Sequence, residues 1–463
     1  MSKPTERSTE RCPGPSYLDI MRADSTPVAK ILAEKSNPPQ STADIPFREY
    51  VSREFLELEM SRLWNKVWQI ACREEDIREV GDYLVYDIGD YSIIVVRTED
   101  GIKAYHNSCL HRGTKLKPSG GSGWSPNIRC PFHGWTWELD GTLNEVPCSW
   151  EFKHLDYDAN RLPEVRVETW NSFVFVNMDE GARPLLDYLE VLPEHFKNRA
   201  FTDWYAFIHI QKELNCNWKV AMEAFMEAYH TPVVHPELTQ VVGDWNMQHD
   251  VLSDNVTRDL CPMGVSSPTV KVPLTQQQLL DRMFLSDPKT SRAEPLTVPE
   301  GKTARDVMAA QLRERMAKVY EIDLSGFSDA EVIDSLKYNL FPNALINGGI
   351  TQRHYSLFKP LGTDPGRCIY EMIRLRPLRP GEERPEPPPV VRIREEELFG
   401  EVSDLDPFVA SVMDQDTQIM RWQQEGMRAS KKGAATLSTY QESRIRRVHE
   451  TLSKYVYANT HEA

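Results

Sequence analysis

A chain of 463 residues with 40% hydrophobic and 10% aromatic residues is long enough for two or three packed units and too apolar to remain unfolded. Its 54 Lys and Arg against 69 Asp and Glu leave a net charge of −15, which repels nucleic acid and anionic membranes, and no block of basic residues overrides that. No apolar run reaches the roughly 18 residues of a membrane span, the Lys3–Arg11 stretch lacks a signal-peptide core, and eight cysteines are too sparse for a disulfide scaffold; the expectation is a cytoplasmic protein with reduced thiols.

Residues 1–46 carry Pro13, Pro15, Pro27, Pro38 and Pro39 without periodicity, so a loosely held arm with one short helix near Val28–Leu32 is expected. Leu56, Met60 and Leu63 then fall on one helical face. From Asp82 to Asp140 the period drops towards two. Tyr83–Tyr86, Ser92–Val96 and Ile102–Tyr105 read as strands, Asp100-Gly101 and Asp140-Gly141 as tight turns, and Pro118–Trp124 as one long loop. Further strands are expected at Ser172–Asn177, Tyr205–Ile210, His354–Phe358 and Cys368–Leu375, and helices over 217–230, 304–320 and 407–424. The six prolines of 377–389 exclude a sheet interior. The fold class is α+β: a small antiparallel β domain over 47–165 with its lead-in helix, and a larger domain over 166–463 with an antiparallel sheet and helices.

The small domain contains Cys109-Leu110-His111 and, after an 18-residue interval, Cys130-Pro131-Phe132-His133. A zinc finger takes two thiolates from one loop and two imidazoles from another; here each loop offers one of each. That order suits a [2Fe-2S] cluster in which two thiolates hold one iron and two neutral imidazoles the other, raising its potential to roughly −150 to +300 mV. Gly113 and Gly134 permit close backbone approach, and Trp135 and Trp137 are candidates to cover the site. A structural zinc knuckle is the bland alternative.

In the larger domain Trp218, Met222, Phe225 and Tyr229 make an apolar stripe, with Glu227 and His230 one turn apart. Pro232 breaks the helix and Pro236 follows, bringing His235 beside His230. Two histidines and a distant carboxylate suit the facial triad of a non-haem Fe(II) oxygenase. Asp416 lies inside the apolar stripe of Val409, Val412, Met413, Ile419, Met420 and Met427, where a carboxylate is costly unless paired or metal-bound, whereas Asp414 reads as solvated. Asp416 is therefore the better third ligand; a salt bridge to a neighbouring helix is the alternative.

The runs Cys109-Leu110-His111-Arg112-Gly113 and Cys130-Pro131-Phe132-His133-Gly134-Trp135 resemble the Rieske signature. Asn217-Trp218-Lys219, Glu227-x2-His230-x4-His235 and Gln415-Asp416 with Gly426 are similar to the corresponding segments of Rieske non-haem iron oxygenase large (α) subunits, the aromatic-ring-hydroxylating family, over about residues 47–430. Glu227 stands where ring-dihydroxylating members commonly have Asp, and a Glu there also occurs in members that oxidise quaternary amines; Ala224 stands where an amide is frequent. The resemblance implies a helix-grip catalytic domain, a Rieske [2Fe-2S] cluster on Cys109, His111, Cys130 and His133, and one mononuclear Fe(II) on His230, His235 and Asp416. It also implies dioxygen as co-substrate, and a head-to-tail homotrimer in which the cluster of one subunit faces the iron of the next, with or without a small β subunit. Glu227 would then orient His230 and meet the partner subunit's His133. No G-x-G-x-x-G follows a strand, so electrons are expected from a separate ferredoxin or NAD(P)H-dependent reductase.

The leading expectation is a terminal oxygenase hydroxylating a hydrophobic, aromatic or polycyclic substrate. A monooxygenase removing an alkyl group from an amine or ether comes second, and a Rieske electron-transfer protein is the alternative outside oxygenases. Met222, Phe225, Met226 and Val233 are candidates to line the substrate pocket, with helical core an equal alternative. Cys12, Cys72, Cys148, Cys216, Cys261 and Cys368 are expected as packing thiols, and His106, His154, His195, His209, His249 and His354 as surface or satisfied core residues.

Overall fold

The computed structural model describes residues 12, 14–36, 41–285, 296–351 and 353–458; the Lys3–Arg11 stretch, Pro13, Pro38 and Pro39 lie outside the described residues. Among the described residues no helix is long and apolar enough to cross a membrane.

Strands Asp82–Ile88, Tyr91–Thr98 and Gly101–His106 form an antiparallel meander, turning where Gly101 takes a φ of 125°. The 118–124 stretch is more than a loop: its last three residues, Ser122–Trp124, pair with Asp82–Leu84 as an edge strand. A second sheet of Ile128–Arg129, Thr136–Trp137 and Leu143–Glu145 turns at Gly141. The two share an apolar core that includes Ile94, Tyr105, Leu116, Trp137 and both Cys109 and Cys130. Strand Gln69–Arg73 pairs with Phe173–Asn177, which pairs with Arg166–Trp170, so backbone hydrogen bonds tie the small β unit's lead-in to the chain beyond residue 165.

The second unit is built on eight strands in the spatial order Gln248–Val251, Val256–Cys261, Ser335–Leu340, Ala344–Asn347, Arg353–Pro360, Cys368–Pro377, Trp204–Leu214 and Val390–Ile393. All neighbours are antiparallel except the last pair. Trp204–Leu214 alternates buried and half-buried residues along its whole length, which is the period of a strand with one face in the core. The Trp218–Glu223 helix lies against this sheet, and Pro407–Ala429, capped by Asp406 with Pro407 in its first turn, packs on that helix and meets the sheet where Met413 touches Tyr370.

The expected helix over 217–230 ends at Glu223. A helix continued through Pro232 would drive the proline ring into the carbonyl of Ala228, so the chain breaks into turns over 224–230 and resumes as Thr231–Val234. Glu227 and His230 are therefore neighbours across a turn, and Tyr229 is exposed rather than part of an apolar stripe.

The arm is not loosely held. Tyr17–Ala23 is a helix with a Ser16–Asp19 capping box, and a second short helix spans Lys30–Ala33. Tyr17, Met21 and Leu32 are buried against Leu260, Ala330 and Leu336. Arg305 binds both Asp24 and Asp334 at 2.6 to 3.1 Å, and the Tyr17 hydroxyl donates to Asp334 at 2.9 Å. The missed signal was a stripe of only three apolar residues interrupted by prolines.

The helix Ser443–Val456 carries His449 into a buried group. Its Nδ1 lies 3.0 Å from Glu49, and its Nε2 lies 2.9 Å from Glu223 and 2.8 Å from the Tyr50 hydroxyl. Burial opposes charge on this imidazole, but the hydrogen bonds and charges of Glu223 and Glu49 overcome it, pushing its pKa from 6.5 up to about 9. A raised folded pKa stabilises fully below the unfolded value and loses that contribution as pH rises through the folded one. Denaturant unfolding should thus show up to roughly 3 kcal/mol of stability disappearing between pH 6.5 and about 9. His449→Gln should be less stable at the acid end and nearly flat across that window; an unchanged slope in the variant refutes the assignment.

Candidate metal centres and the adjoining cavity

The two Cys-His loops share one backbone design. Cys109 N–H donates to Thr114 O and Gly113 N–H to Cys109 O; Cys130 N–H donates to Trp135 O and Gly134 N–H to Cys130 O. Gly113 and Gly134 sit at φ 76° and 77°, a region that favours glycine, so their first task is to close these turns. The loops bring the Cys109 and Cys130 thiols together in the small domain's core, where burial raises the Cys109 thiol although the His111 and Arg112 backbone amides pull it down. The His111 and His133 rings lie 4.7 Å apart, with His133 exposed. His111 stacks on Trp135 at 5.1 Å, and its buried Nδ1 has no hydrogen-bond partner. Burial, then His133 and Arg112, lower the His111 pKa and keep it neutral. Two adjacent thiols, two adjacent imidazoles and an orphaned ring nitrogen fit a [2Fe-2S] cluster; Trp135 covers His111, while Trp137 is core, its indole donating to Asn160 O at 2.9 Å.

The second centre joins three chain segments. His230 closes the broken turn, His235 ends the Thr231–Val234 helical turn, and Asp416 lies on the buried face of Pro407–Ala429. One donor atom from each falls within 4.8 Å of the others. Both histidines point Nε2 at Asp416 Oδ1, at 3.5 Å from His230 and 2.8 Å from His235. Their Nδ1 atoms are held from behind: His230 by Glu227 at 2.5 Å and His235 by Gln415 at 2.6 Å. Glu227 also accepts the backbone N–H of Tyr229 and, at 3.1 Å, that of His230, so one carboxylate both caps the turn and sets the ring. Burial lowers the His235 pKa, but the Asp416 and Gln415 hydrogen bonds more than offset it and leave it raised. Two Nε2 atoms and a carboxylate oxygen on one side fit a single Fe(II) with open positions.

Other sequence readings are redistributed. Asp414 is not solvated in the way expected; it accepts the Phe399 and Gly400 amides at 2.8 and 3.3 Å, leaving Asp416 as the inward carboxylate. Asn217-Trp218-Lys219 is an anchor: Asn217 caps its helix and donates to Tyr50 O, while Trp218 and Lys219 both bind the buried Glu59. Met222 and Met226 are fully buried core, Val233 is 85% exposed, and Phe225 alone of the four lines a cavity. Cys148 is exposed rather than packed. The role of Gln415, marked only as part of the Gln415-Asp416 segment, and that of His449 went unread, since their partners lie 180 and 226 residues away and no local pattern signals such pairing.

That cavity, about 210 Å³, lies between the sheet and the Pro407–Ala429 helix. Met413 and Val409 roof it one and two turns before Asp416, and Phe225 closes it two residues before Glu227. Its floor is the alternate-residue face of four strands, including Tyr370, Met372 and Arg374 from one of them. His354, expected as a bland histidine, is part of that floor. A larger and more open cavity of about 520 Å³, lined by Arg62, Lys66 and Lys454, shares no residue with either centre.

Residues 201–458 match the family described as ring hydroxylating alpha subunit (catalytic domain), and residues 67–162 match the Rieske [2Fe-2S] domain. Among relatives, choline monooxygenase of Spinacia oleracea is 27% identical over 241 residues, covering 50% of this chain and 54% of that protein. The carnitine monooxygenase oxygenase subunit of Escherichia coli K12 is 29% identical over 231 residues, 46% of this chain and 60% of that one. The chain thus spans about half the length of the curated relatives it matches. A quaternary ammonium Rieske monooxygenase structure aligns with a TM-score of 0.63 at 17% identity, over 89% of this chain and 95% of that one. Naphthalene 1,2-dioxygenase from Rhodococcus sp. aligns with 0.61 at 17%, over 90% and 95%. The cofactors that go with this pair of domains are a Rieske [2Fe-2S] cluster and a mononuclear iron. With the catalytic-domain match alone covering more than half of its length, the chain belongs to the ring-hydroxylating oxygenase α-subunit family.

Proposed function

We propose that this chain is the terminal oxygenase component of a multicomponent Rieske system, hydroxylating an organic substrate with dioxygen and electrons delivered by a ferredoxin or NAD(P)H-dependent reductase. The observation that carries the reading is the convergence of His230, His235 and Asp416 beside a cavity large enough for a small substrate. The arm, the Rieske unit over 47–165 and the catalytic unit over 166–463 are the working divisions. Monooxygenation is supported by the names of the relatives, which include choline, glycine betaine and carnitine monooxygenases.

In this reading Cys109, His111, Cys130 and His133 hold the cluster, and His230, His235 and Asp416 hold the iron. Bound there, the two centres would supply single electrons and dioxygen activation. The chain's own residues do the rest. Glu227 and Gln415 fix both imidazoles with Nε2 facing Asp416, which sets tautomer and orientation before any metal arrives. Phe225, Met413 and Tyr370 keep water from the near end of the cavity. Assembly as a head-to-tail homotrimer is supported by exposed apolar side chains beside each centre: Phe132 and Trp150 near the cluster, Tyr229 and Val233 near His230. In such an assembly Glu227 would link His230 to the partner subunit's His133.

Two variants test these roles. Asp416→Ala should lose the mononuclear iron and all turnover while keeping the cluster's visible spectrum; metal analysis with turnover assays reads both, and retained activity would move the third ligand elsewhere. Glu227→Gln keeps an acceptor but loses the charge that orients His230, so both metals should stay bound while turnover falls about 10- to 100-fold. Rapid-mixing spectroscopy should place that loss in reoxidation of the reduced cluster with substrate and dioxygen present, not in its reduction by the partner. A wild-type reoxidation rate would reduce Glu227 to a turn-capping residue.

A further inference from the structure

In a chain of net charge −15, the cavity beside the triad is lined by no Asp or Glu at all. It is lined instead by Lys337 and Arg374. The strand registers put these two in one row: Lys337 faces Asn347, Asn347 faces His354, and His354 faces Arg374. With strands about 4.8 Å apart, the row crosses four strands and roughly 14 Å of the sheet. All four side chains line the cavity.

Among the described residues neither cation makes an ion pair, and Asp259, which faces Lys337 from the neighbouring strand, is taken up by Arg444. The acid acting on Arg374 is Asp406, whose carboxylate already caps the Phe408 and Val409 amides. Lys337 donates to the Phe225 carbonyl at 3.0 Å, a neutral partner that leaves its charge in place. His354 feels both: burial, then Arg374 and Lys337, push its pKa down to about 3, so it faces the cavity as a neutral imidazole. Burying two like charges without a counter-ion is unfavourable, and a ligand anion relieves it.

The other end of the cavity is apolar. Phe225 and Tyr370 stack at 5.2 Å, and Tyr370 stacks on Phe358 at 5.0 Å. Phe225 and Phe358 are also 5.7 Å apart, so the three rings make one apolar patch on this side of the cavity. Tyr370 also meets Met413 at 3.6 Å, one turn from Asp416, which sets this wall at the triad end.

We propose that the substrate is an organic carboxylate with an apolar, ring-sized body and no permanent cation. Its carboxylate is taken by the Lys337–Asn347–His354–Arg374 row, and its body lies along the Phe225–Tyr370 wall towards the triad. This rests on the oxygenase reading and narrows its substrate class. Such a substrate shares a carboxylate with glycine betaine and carnitine, which the relatives' names record, and differs from them and from choline in carrying no quaternary ammonium.

The test is binding to the iron-loaded protein, by calorimetry and thermal shift, of naphthalene-2-carboxylate, its neutral carboxamide, and choline. The carboxylate should bind at least about tenfold tighter than the carboxamide, as a charge-assisted hydrogen bond predicts, and choline should not bind. The preference should disappear in Lys337→Gln/Arg374→Gln with the cluster spectrum and the mononuclear-iron content both unchanged, which certifies that both units are folded. It should persist in Asp416→Ala, where no iron can take the carboxylate. Equal binding of carboxylate and carboxamide, no binding of either at millimolar concentration, tighter binding of choline, or a preference that survives the double variant each overturns the proposal. A preference that depends on Lys337 and Arg374 without any turnover would instead leave the anion site standing and remove the oxygenase reading.

Discussion

A carboxylate buried in the apolar stripe of a 23-residue helix has to be answered by positive charge or metal, and the second unit is arranged around that demand. Asp416 is 5% exposed, and what meets it is a pair of imidazole Nε2 atoms, not a Lys or Arg. Each imidazole is held by a residue immediately bound up with the same local turn or helix: Glu227 in the turn of His230, and Gln415 next to Asp416 itself. The break at Pro232 is what makes this possible. A continuous helix would send His235 onwards along its axis, whereas a turn and one short helical turn fold it back beside His230.

The parts of this arrangement that could be read in advance are those encoded over short distances. Strand alternation, the Cys-x-His and Cys-x2-His loops, and the His230-x4-His235 spacing each declare themselves within a dozen residues, and the strands that the alternation marks lie close to where it places them; Gln248–Val251, Val256–Cys261, Ser335–Leu340, Ala344–Asn347 and Val390–Ile393 of the large sheet went unmarked. Asp416 was legible for a different reason, since a lone acid in an apolar stripe is out of place whatever it binds. Boundaries set by tertiary forces were not legible. The helix from Trp218 stops at Glu223, although the apolar pattern runs on to Tyr229; beyond it the Glu227 carboxylate takes the Tyr229 and His230 amides, and Pro232 bars a helix running on through Ala228. The N-terminal arm looked loose because its three anchors find their partners more than two hundred residues away.

The same limit hid the chemistry of the cavity. Lys337, Asn347, His354 and Arg374 form no motif in the chain; only the pairing of four strands makes them one row. His354 looked bland because a single histidine in a strand says nothing about its neighbours across the sheet. Conversely, the Asn217-Trp218-Lys219 run looked functional and is mechanical, joining its helix to Glu59 and, through the Asn217 amide, to Gln424 on the Pro407–Ala429 helix. It fixes the distance between the segment that carries His230 and the helix that carries Asp416.

Charge then divides the interior into two regions with opposite requirements. At the triad, two imidazoles turn their Nε2 atoms to one carboxylate oxygen, a donor set that a metal satisfies. Across the cavity, two cations and a neutral imidazole favour an anion, and no acid lines the space beside them. A permanent cation entering this space would be drawn to Asp416 and repelled by Lys337 and Arg374, so it would compete with the metal instead of lying beside it. A molecule with one negative end and an apolar body has a single low-energy orientation: its charge against the row and its carbon skeleton against the stacked rings next to the metal site. On the proposed substrate, an anchor at one end and an apolar wall at the other would select which carbon faces the metal site without a contact to the carbon itself.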